Sequence, residues 1–180
     1  MKAIGICGSP RNGSNTEILL REVLKTMEKS GVETELILLK EKNIELCRGC
    51  DEKCSKTGEC VISDDMQEIY EKLINSDVII FGSPTYFDNV TGLMKNFMDR
   101  TDPLTVNKKL KNKIAGVIGV GIVGPESIRK NMRSLMDFCV SHRMIIKGGV
   151  MVKAYEENEI SRKENILIEA RKLGKKLLKV

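Results

Sequence analysis

Apolar positions along this chain occur in two patterns, short continuous runs and longer stretches with a 3.6-residue period. Short runs that are nearly all apolar are typical of parallel strands covered on both faces. They predict five strands, over Ala3 to Cys7, Thr34 to Leu39, Asp77 to Phe81, Ile114 to Val120 and Met144 to Val152. Because a helical pattern follows each strand, the sequence predicts an α/β domain with right-handed crossovers and a parallel sheet.

Polar residues mark two of the predicted helix starts. Ser63 is expected to cap the second helix, with Asp64 and Asp65 complementing the positive end of the helix dipole. Ser161 and Glu164 have the spacing of a capping box before the last helix. We therefore expect side-chain caps at both positions.

The size and charge of the chain favour one domain, residues 1–180, with neither a membrane nor a nucleic acid as partner. No stretch approaches the ~20 apolar residues of a membrane span. The apolar stretch at the amino terminus is too short for a signal peptide, so we expect a cytoplasmic protein. The net charge is +5, and the densest basic run, residues 108–113, contains no aromatic residue. That run favours a solvated loop over a nucleic-acid patch.

Four of the six cysteines lie within fourteen residues after the second predicted strand. They are Cys47, Cys50, Cys54 and Cys60. In a reducing compartment, such a group binds metal more often than it forms disulfides. An iron–sulfur cluster, a zinc ion and a group without metal remain open, although compression into one loop favours the cluster over zinc.

The remaining cysteines and the one histidine are interpreted structurally. Cys7 ends a predicted strand and Cys139 lies on an apolar helix stripe, so both are expected to be buried. His142 follows that helix, and we expect it to cap the carboxyl end rather than act as a catalytic base.

The loop after the first strand has the composition of an anion site. Small residues let backbone N–H groups point at a phosphate, hydroxyls and a guanidinium add donors, and the following helix presents its positive end. The candidate ligands are Ser9, Arg11, Gly13, Ser14, Asn15 and Thr16. The loop lacks the Gly-Lys-Ser/Thr ending of a nucleoside-triphosphate loop.

Two further loops are expected at the same edge of the sheet, because ligands of open α/β sheets bind beyond the carboxyl ends of the strands. The loop after the third strand contains Pro84, Thr85, Tyr86 and Phe87, whose aromatic faces and stiff turn suit a flat ring. The loop after the fourth strand contains Gly121 within a Gly-x-Gly-x-x-Gly pattern that is not placed as in a dinucleotide site. We interpret it as a loop close to the ligand.

The chain resembles the flavodoxin-like NAD(P)H-dependent FMN reductase family. The resemblance is carried by Gly8 to Thr16, by Asp64-Asp65-Met66, and by Gly82 to Phe87 continuing through Thr91 to Arg100. It implies a doubly wound five-stranded sheet of order 2-1-3-4-5, with a cysteine-rich loop inserted at about residues 43–62. It also implies that the first loop binds the FMN phosphate and that residues 84–87 lie along the ribityl chain and isoalloxazine.

Within that family, the four cysteines resemble the iron-sulfur flavoprotein branch, in which they would hold a [4Fe-4S] cluster. This chain has one more residue between Cys50 and Cys54 than that branch, which leaves ligation by Cys54 open. The resemblance implies an FMN-dependent oxidoreductase reduced by NAD(P)H, and a homo-oligomer, either a dimer or a dimer of dimers. The alternatives are an electron carrier that exchanges electrons with ferredoxin-like partners, and a zinc-stabilised interaction module without flavin.

Overall fold

A computed structural model describes residues 1–179, except for the side chains of residues 51 and 52. The strands are β1 (Lys2–Cys7), β2 (Glu33–Leu38), β3 (Val78–Pro84), β4 (Ile114–Gly121) and β5 (Ile145–Lys153). The helices are α1 (Asn15–Glu28), α2 (Asp51–Thr57), α3 (Met66–Asn75), α4 (Gly92–Asp99), α5 (Pro125–Ser141) and α6 (Glu164–Leu177). Short 3₁₀ turns cover Leu39–Glu41, Asp102–Leu104, Val106–Lys108 and Glu159–Arg162.

The five strands form one parallel sheet in the order β2-β1-β3-β4-β5. This confirms the predicted flavodoxin-like topology, and each predicted strand is found within three residues of its predicted ends. In this order, the carboxyl ends of β1, β3 and β4 lie side by side. Their loops therefore meet at one edge of the sheet, as such topologies require of a ligand site.

Two apolar clusters, one on each face, bury the sheet. One face packs α3, α4 and α5 through side chains such as Met66, Phe97 and Leu135. The other packs α1 and α6 through side chains such as Leu20 and Leu173. Phe81, Phe97 and Phe138 form a ring cluster in the first face, with centroids 5.3 to 6.3 Å apart. Both faces being covered explains why the strands are nearly all apolar.

Both predicted helix caps are wrong. Helix α3 starts at Met66 with Asp65 at its N-cap. The amide of Met66 donates to the carboxylate of Asp64 instead of to the side chain of Ser63. Ser161 lies within the Glu159–Arg162 turn, and α6 starts only at Glu164 after Lys163. In the first case a buried ion pair made by Asp64, described below, decides the local geometry.

The structural roles expected for Cys7, Cys139 and His142 are confirmed. Both thiols are buried, and burial raises the pKa of Cys7 to about 11 and that of Cys139 to about 12. His142 is the C-cap residue of α5, and its Nε2 lies 3.0 Å from the hydroxyl of Thr101. Burial also lowers the pKa of His142.

The predicted cysteine-rich loop contains helix α2, which sequence reasoning missed. Cys50 is its N-cap residue, and Gly58 ends it in the left-handed conformation, with φ of 75°.

None of the helices among residues 1–179 combines the length and apolar character needed to cross a membrane.

Candidate functional site

A cleft lies at the carboxyl edge of the sheet, between the loops that follow β1, β3, β4 and β5. It has about 690 Å³ of empty space, part of it open to solvent. The cleft is lined by Ser9, Arg11, Asn12, Ser14, Asn15, Thr16, Pro84, Thr85, Tyr86, Val120, Gly121, Ile122, Ala154, Tyr155, Glu156 and Glu157. Nine of the eleven residues predicted as flavin ligands are therefore among its lining residues.

The loop after β1 presents hydrogen-bond donors toward the cleft. Ser14 caps α1, and its side chain accepts a hydrogen bond from the amide of Glu17. The amides of Asn15 and Thr16, in the first helical turn, have no acceptor among the described residues. The hydroxyl groups of Ser9 and Ser14 each accept one backbone hydrogen bond. Such a helix terminus binds phosphate.

An ion pair behind the loop holds its shape. Lys40, in the turn after β2, donates to the carbonyl of Arg11 at 3.2 Å and to the side chain of Asn12. Its ammonium also lies 3.9 Å from the carboxylate of Glu17, and both side chains are nearly buried. The same carboxylate accepts a bond from the amide of Gly13 at 3.1 Å. The loop is thereby fixed before any ligand arrives.

A network of buried polar groups holds the loop after β3 against the loop after β1. The hydroxyl of Thr91 donates to the carbonyl of Gly8 at 2.6 Å, and the amide of Thr91 donates to the hydroxyl of Ser83. From α5, the fully buried Asn131 donates to the carbonyl of Ser83 and to the hydroxyl of Thr85. The Oδ1 atom of Asn131 is buried and has no hydrogen-bond partner among the described residues, so Asn131 holds the loop after β3 through its donor group alone.

Two of the predicted ligands, Gly13 and Phe87, are not among the lining residues of the cleft. Gly13 has φ of +56°, and a Cβ there would lie 3.2 Å from the side chain of Asn158. Phe87 is fully exposed with φ of 48° and lines a shallow depression beside the cleft, together with Tyr86 and Ile122. The structure thus places both residues next to the cleft rather than in its wall.

The loop after β5 supplies a wall of the cleft that sequence reasoning missed. Its lining residues are Ala154, Tyr155, Glu156 and Glu157. The amide of Ala154 donates to the carbonyl of Gly121, which links this wall to the loop after β4. Tyr155, two residues after β5, is aromatic, but no local pattern indicates that it faces the cleft.

The four clustered cysteines face different surroundings. Cys47 is exposed, whereas Cys54 is buried and its thiol donates to the carboxylate of Asp102 at 3.2 Å. Burial, followed by this bond to Asp102, raises the pKa of Cys54 to about 11. Cys60 has a different neighbour, and its sulfur lies 3.6 Å from the guanidinium of Arg100. All six cysteines are free thiols, so the disulfide alternative is not realised.

Arg100 joins the two ends of the cysteine segment, residues 43–62. It forms a bidentate pair with Asp64 at 2.6 and 3.0 Å, and both side chains are 1% exposed. It also donates to the carbonyl of Glu45. Burial opposes the charge on Asp64, but Arg100 and the amides of Glu45 and Met66 hold the pKa of Asp64 below its usual value. Arg100 therefore fixes where the segment leaves and rejoins the fold.

The residues of the two regions fit ligands to different degrees. In the cleft, free amides, hydroxyls and Arg11 suit a phosphate, and Tyr86 and Tyr155 suit a flat ring, so this donor set fits a mononucleotide such as FMN. In the cysteine segment, no three Cys, His, Asp or Glu side chains of described residues are grouped so as to hold a metal ion. The arrangement of the thiols seen here does not fit a four-thiolate cluster.

Comparisons with known proteins concern the family and the fold of the chain. Residues 1–157 match the model of the family described as NADPH-dependent FMN reductase. An iron-sulfur flavoprotein of Methanocaldococcus jannaschii is 40% identical over 148 residues, covering 82% of this chain and 76% of the relative. An iron-sulfur flavoprotein of Archaeoglobus fulgidus is 41% identical over 138 residues, covering 76% of this chain and 62% of the relative.

A solved NAD(P)H:quinone oxidoreductase from Methanothermobacter marburgensis shares the fold. Its TM-score is 0.74 at 18% identity, and the match covers 100% of this chain and 97% of that chain. At such low identity the likeness concerns the fold alone.

Proposed function

The chain belongs to the NADPH-dependent FMN reductase family, and on that premise we propose that it binds FMN in the cleft and transfers electrons from NAD(P)H to an acceptor. The observation that carries this proposal is the set of unengaged amides at the start of α1, beside a cleft with aromatic walls. Bound FMN would supply the hydride and single-electron chemistry.

The chain's own residues bind and orient the cofactor in this proposal. The amides of Asn15 and Thr16, the hydroxyls of Ser9, Ser14 and Thr16, and Arg11 bind the phosphate. Pro84, Thr85, Tyr86, Gly121 and the neighbouring Phe87 lie along the ring and its chain. No catalytic acid or base is assigned to the chain, because the two lining carboxylates, Glu156 and Glu157, are largely exposed.

Anaerobic reduction tests this function. The purified protein, loaded with FMN, is mixed with NADPH or NADH while the flavin absorbance is followed. Rapid bleaching by either nicotinamide supports a reductase. Failure of both, together with reduction by a reduced ferredoxin, would make the protein an electron carrier that does not use NAD(P)H directly.

A second candidate function is electron transfer through FMN and a [4Fe-4S] cluster on Cys47, Cys50, Cys54 and Cys60. The printed name of the relatives and the four thiols within one short segment support it. Because Cys54 faces Asp102 and Cys60 faces Arg100, such a cage requires the segment to rearrange. We therefore assign no electron-transfer step to a cluster.

Anaerobic purification followed by iron, sulfide and zinc analysis decides between these candidates. About four irons and four sulfides per chain would support the cluster. A flavin spectrum without iron would support the reductase and exclude the cluster. One zinc per chain without flavin would support the interaction module.

A further inference from the structure

The side chain of Asn15 connects the loop after β1 to the loop after β5. Its Nδ2 donates to the carbonyl of Glu156 at 2.7 Å, and its Oδ1 accepts a bond from the amide of Ile160 at 3.1 Å. These partners are 141 and 145 residues away along the chain. Both polar ends of the amide are therefore engaged by the backbone of one distant segment.

We propose that Asn15 is a positioning residue that holds residues 154–160 as the outer wall of the flavin cleft, and that its side chain is not a phosphate ligand. This proposal rests on the proposed binding of FMN in the cleft. The backbone amide of Asn15, which has no acceptor among the described residues, keeps the phosphate role assigned above.

Other contacts bring the same two loops together. A Cβ on Gly13 would come within 3.2 Å of the side chain of Asn158, so the loops pack closely at that point. The guanidinium of Arg11 lies 3.9 Å from the carboxylate of Glu157, but that pair is exposed and contributes little. Asn15 is thus the residue that ties the two loops by hydrogen bonds in both directions.

The segment is also preorganised from within. The carboxylate of Glu159 accepts bonds from the amides of Tyr155 and Glu156 and pairs with Lys163. Tyr155, which lines the cleft, lies under the ammonium of Lys153 at 5.0 Å from the ring centroid. Asn15 therefore docks a folded turn, and the wall that this turn presents should contact the cofactor independently of its phosphate.

This role makes a specific prediction about flavins with and without phosphate. Asn15→Ala removes the clamp but retains the backbone amide and a residue that favours the first helical turn. We expect the dissociation constants of FMN and riboflavin to rise by the same factor, about fivefold, as for the loss of about 1 kcal/mol of net hydrogen bonding.

Thr16→Val is the matched control variant. It removes the hydroxyl of a residue that lines the cleft while keeping the methyl group that packs near Gly82. We expect the dissociation constant of FMN to rise by about tenfold, as for the loss of one hydrogen bond to a charged group. The dissociation constant of riboflavin should stay unchanged.

Hydrogen exchange on the flavin-free protein tests the clamp without any ligand. In Asn15→Ala, the amide of Ile160 should exchange at least about fivefold faster, since its acceptor is lost, while amides of the sheet keep their protection. If the wild-type protein binds neither flavin, the proposed function fails, and this exchange experiment still decides the clamp.

Three results would overturn the proposal. Asn15→Ala could weaken FMN alone, which would make the side chain a phosphate ligand. It could leave both affinities unchanged, which would deny the wall a role in binding. Unchanged exchange at residues 155–160 would show that other contacts hold the segment.

Discussion

The flavin cleft and the cysteine segment are both built from loops, but they differ in how many groups hold each functional residue. In the cleft, buried Thr91 and Asn131 bridge neighbouring loops, and the nearly buried Lys40 supports the phosphate loop from behind. In the cysteine segment, the buried guanidinium of Arg100 joins the two ends. Between them, Cys47 is exposed, the thiol of Cys54 contacts Asp102, and the sulfur of Cys60 contacts Arg100.

The difference shows that sequence clustering and spatial clustering are separate properties. The cleft residues come from four distant loops and converge because the strand order places those loops at one edge. The cysteines are close in sequence, yet the sulfur of Cys54 contacts Asp102 and that of Cys60 contacts Arg100, and no three Cys, His, Asp or Glu side chains of described residues are grouped so as to hold a metal ion. We therefore expect changes in the two regions to separate cleanly in experiments.

The largest expected effect is that of Arg100→Met. It leaves the buried Asp64 without its partner, which should reduce the free energy of unfolding in urea by about 3–5 kcal/mol. The pKa of Asp64 is depressed in the folded state, so its contribution is present above the ordinary carboxyl pKa and is lost as pH falls. The acid sensitivity due to this pair should disappear in the variant.

Lys95→Met is the control for that experiment, because Lys95 forms an exposed pair with Asp99 on the same helix. It should change the stability by less than about 1 kcal/mol. Equal losses in the two variants would contradict the assigned role of Arg100.

The next effect is that of Thr91→Val, which acts on the cleft. It leaves the carbonyl of Gly8 without its buried donor and removes the cap of α4, so the stability should fall by about 1–3 kcal/mol. Because Gly8 begins the phosphate loop, the affinity for FMN should fall as well. Thr91→Ser keeps the hydroxyl and should retain most of that affinity, which calorimetric titration with FMN can check.

The smallest effect is that of Cys54→Ala, which acts on the cysteine segment alone. It removes a buried sulfur and should cost about 1 kcal/mol, whereas Cys47→Ala, at an exposed position, should cost almost nothing. Neither variant should alter FMN affinity. A substantial loss of FMN affinity in Cys54→Ala would show that the two regions are coupled.

The raised pKa of Cys54 predicts that the stability of the protein depends on pH in the alkaline range. This pKa is raised from 9.0 to about 11 in the folded protein, so the contribution of Cys54 to stability is present below pH 9 and is lost as pH rises toward 11. The free energy of unfolding of the wild type, measured in urea, should therefore fall between pH 9 and 11. The same quantity should fall less steeply in Cys54→Ala. Identical slopes in the two proteins would contradict this assignment.

The parts of the fold that depend on local pattern were predictable from the sequence. Strands buried on both faces produce continuous apolar runs. The phosphate loop could be recognised because its hydroxyl residues and Arg11 lie within eight positions, residues 9–16. Helix α2 was missed because its segment carries few apolar residues, so no stripe marks it. The cap at Ser63 was wrong because Asp64 is engaged by Arg100, 36 residues away.

The wall formed by residues 154–157 was unpredictable for a related reason. Its place in the cleft depends on contacts such as that between Asn15 and Ile160, which no local pattern encodes. Asn15 itself was identified as a site residue from its position in the phosphate loop, but its side-chain partners are visible only in three dimensions.

The most direct test of the central claim is a calorimetric titration of the flavin-free protein with FMN and with riboflavin at the same ionic strength. If the start of α1 binds the phosphate, FMN should bind at least about 100-fold more tightly, since several charge-assisted hydrogen bonds are lost without it. Equal affinities for the two flavins, or no binding of either, would contradict the account.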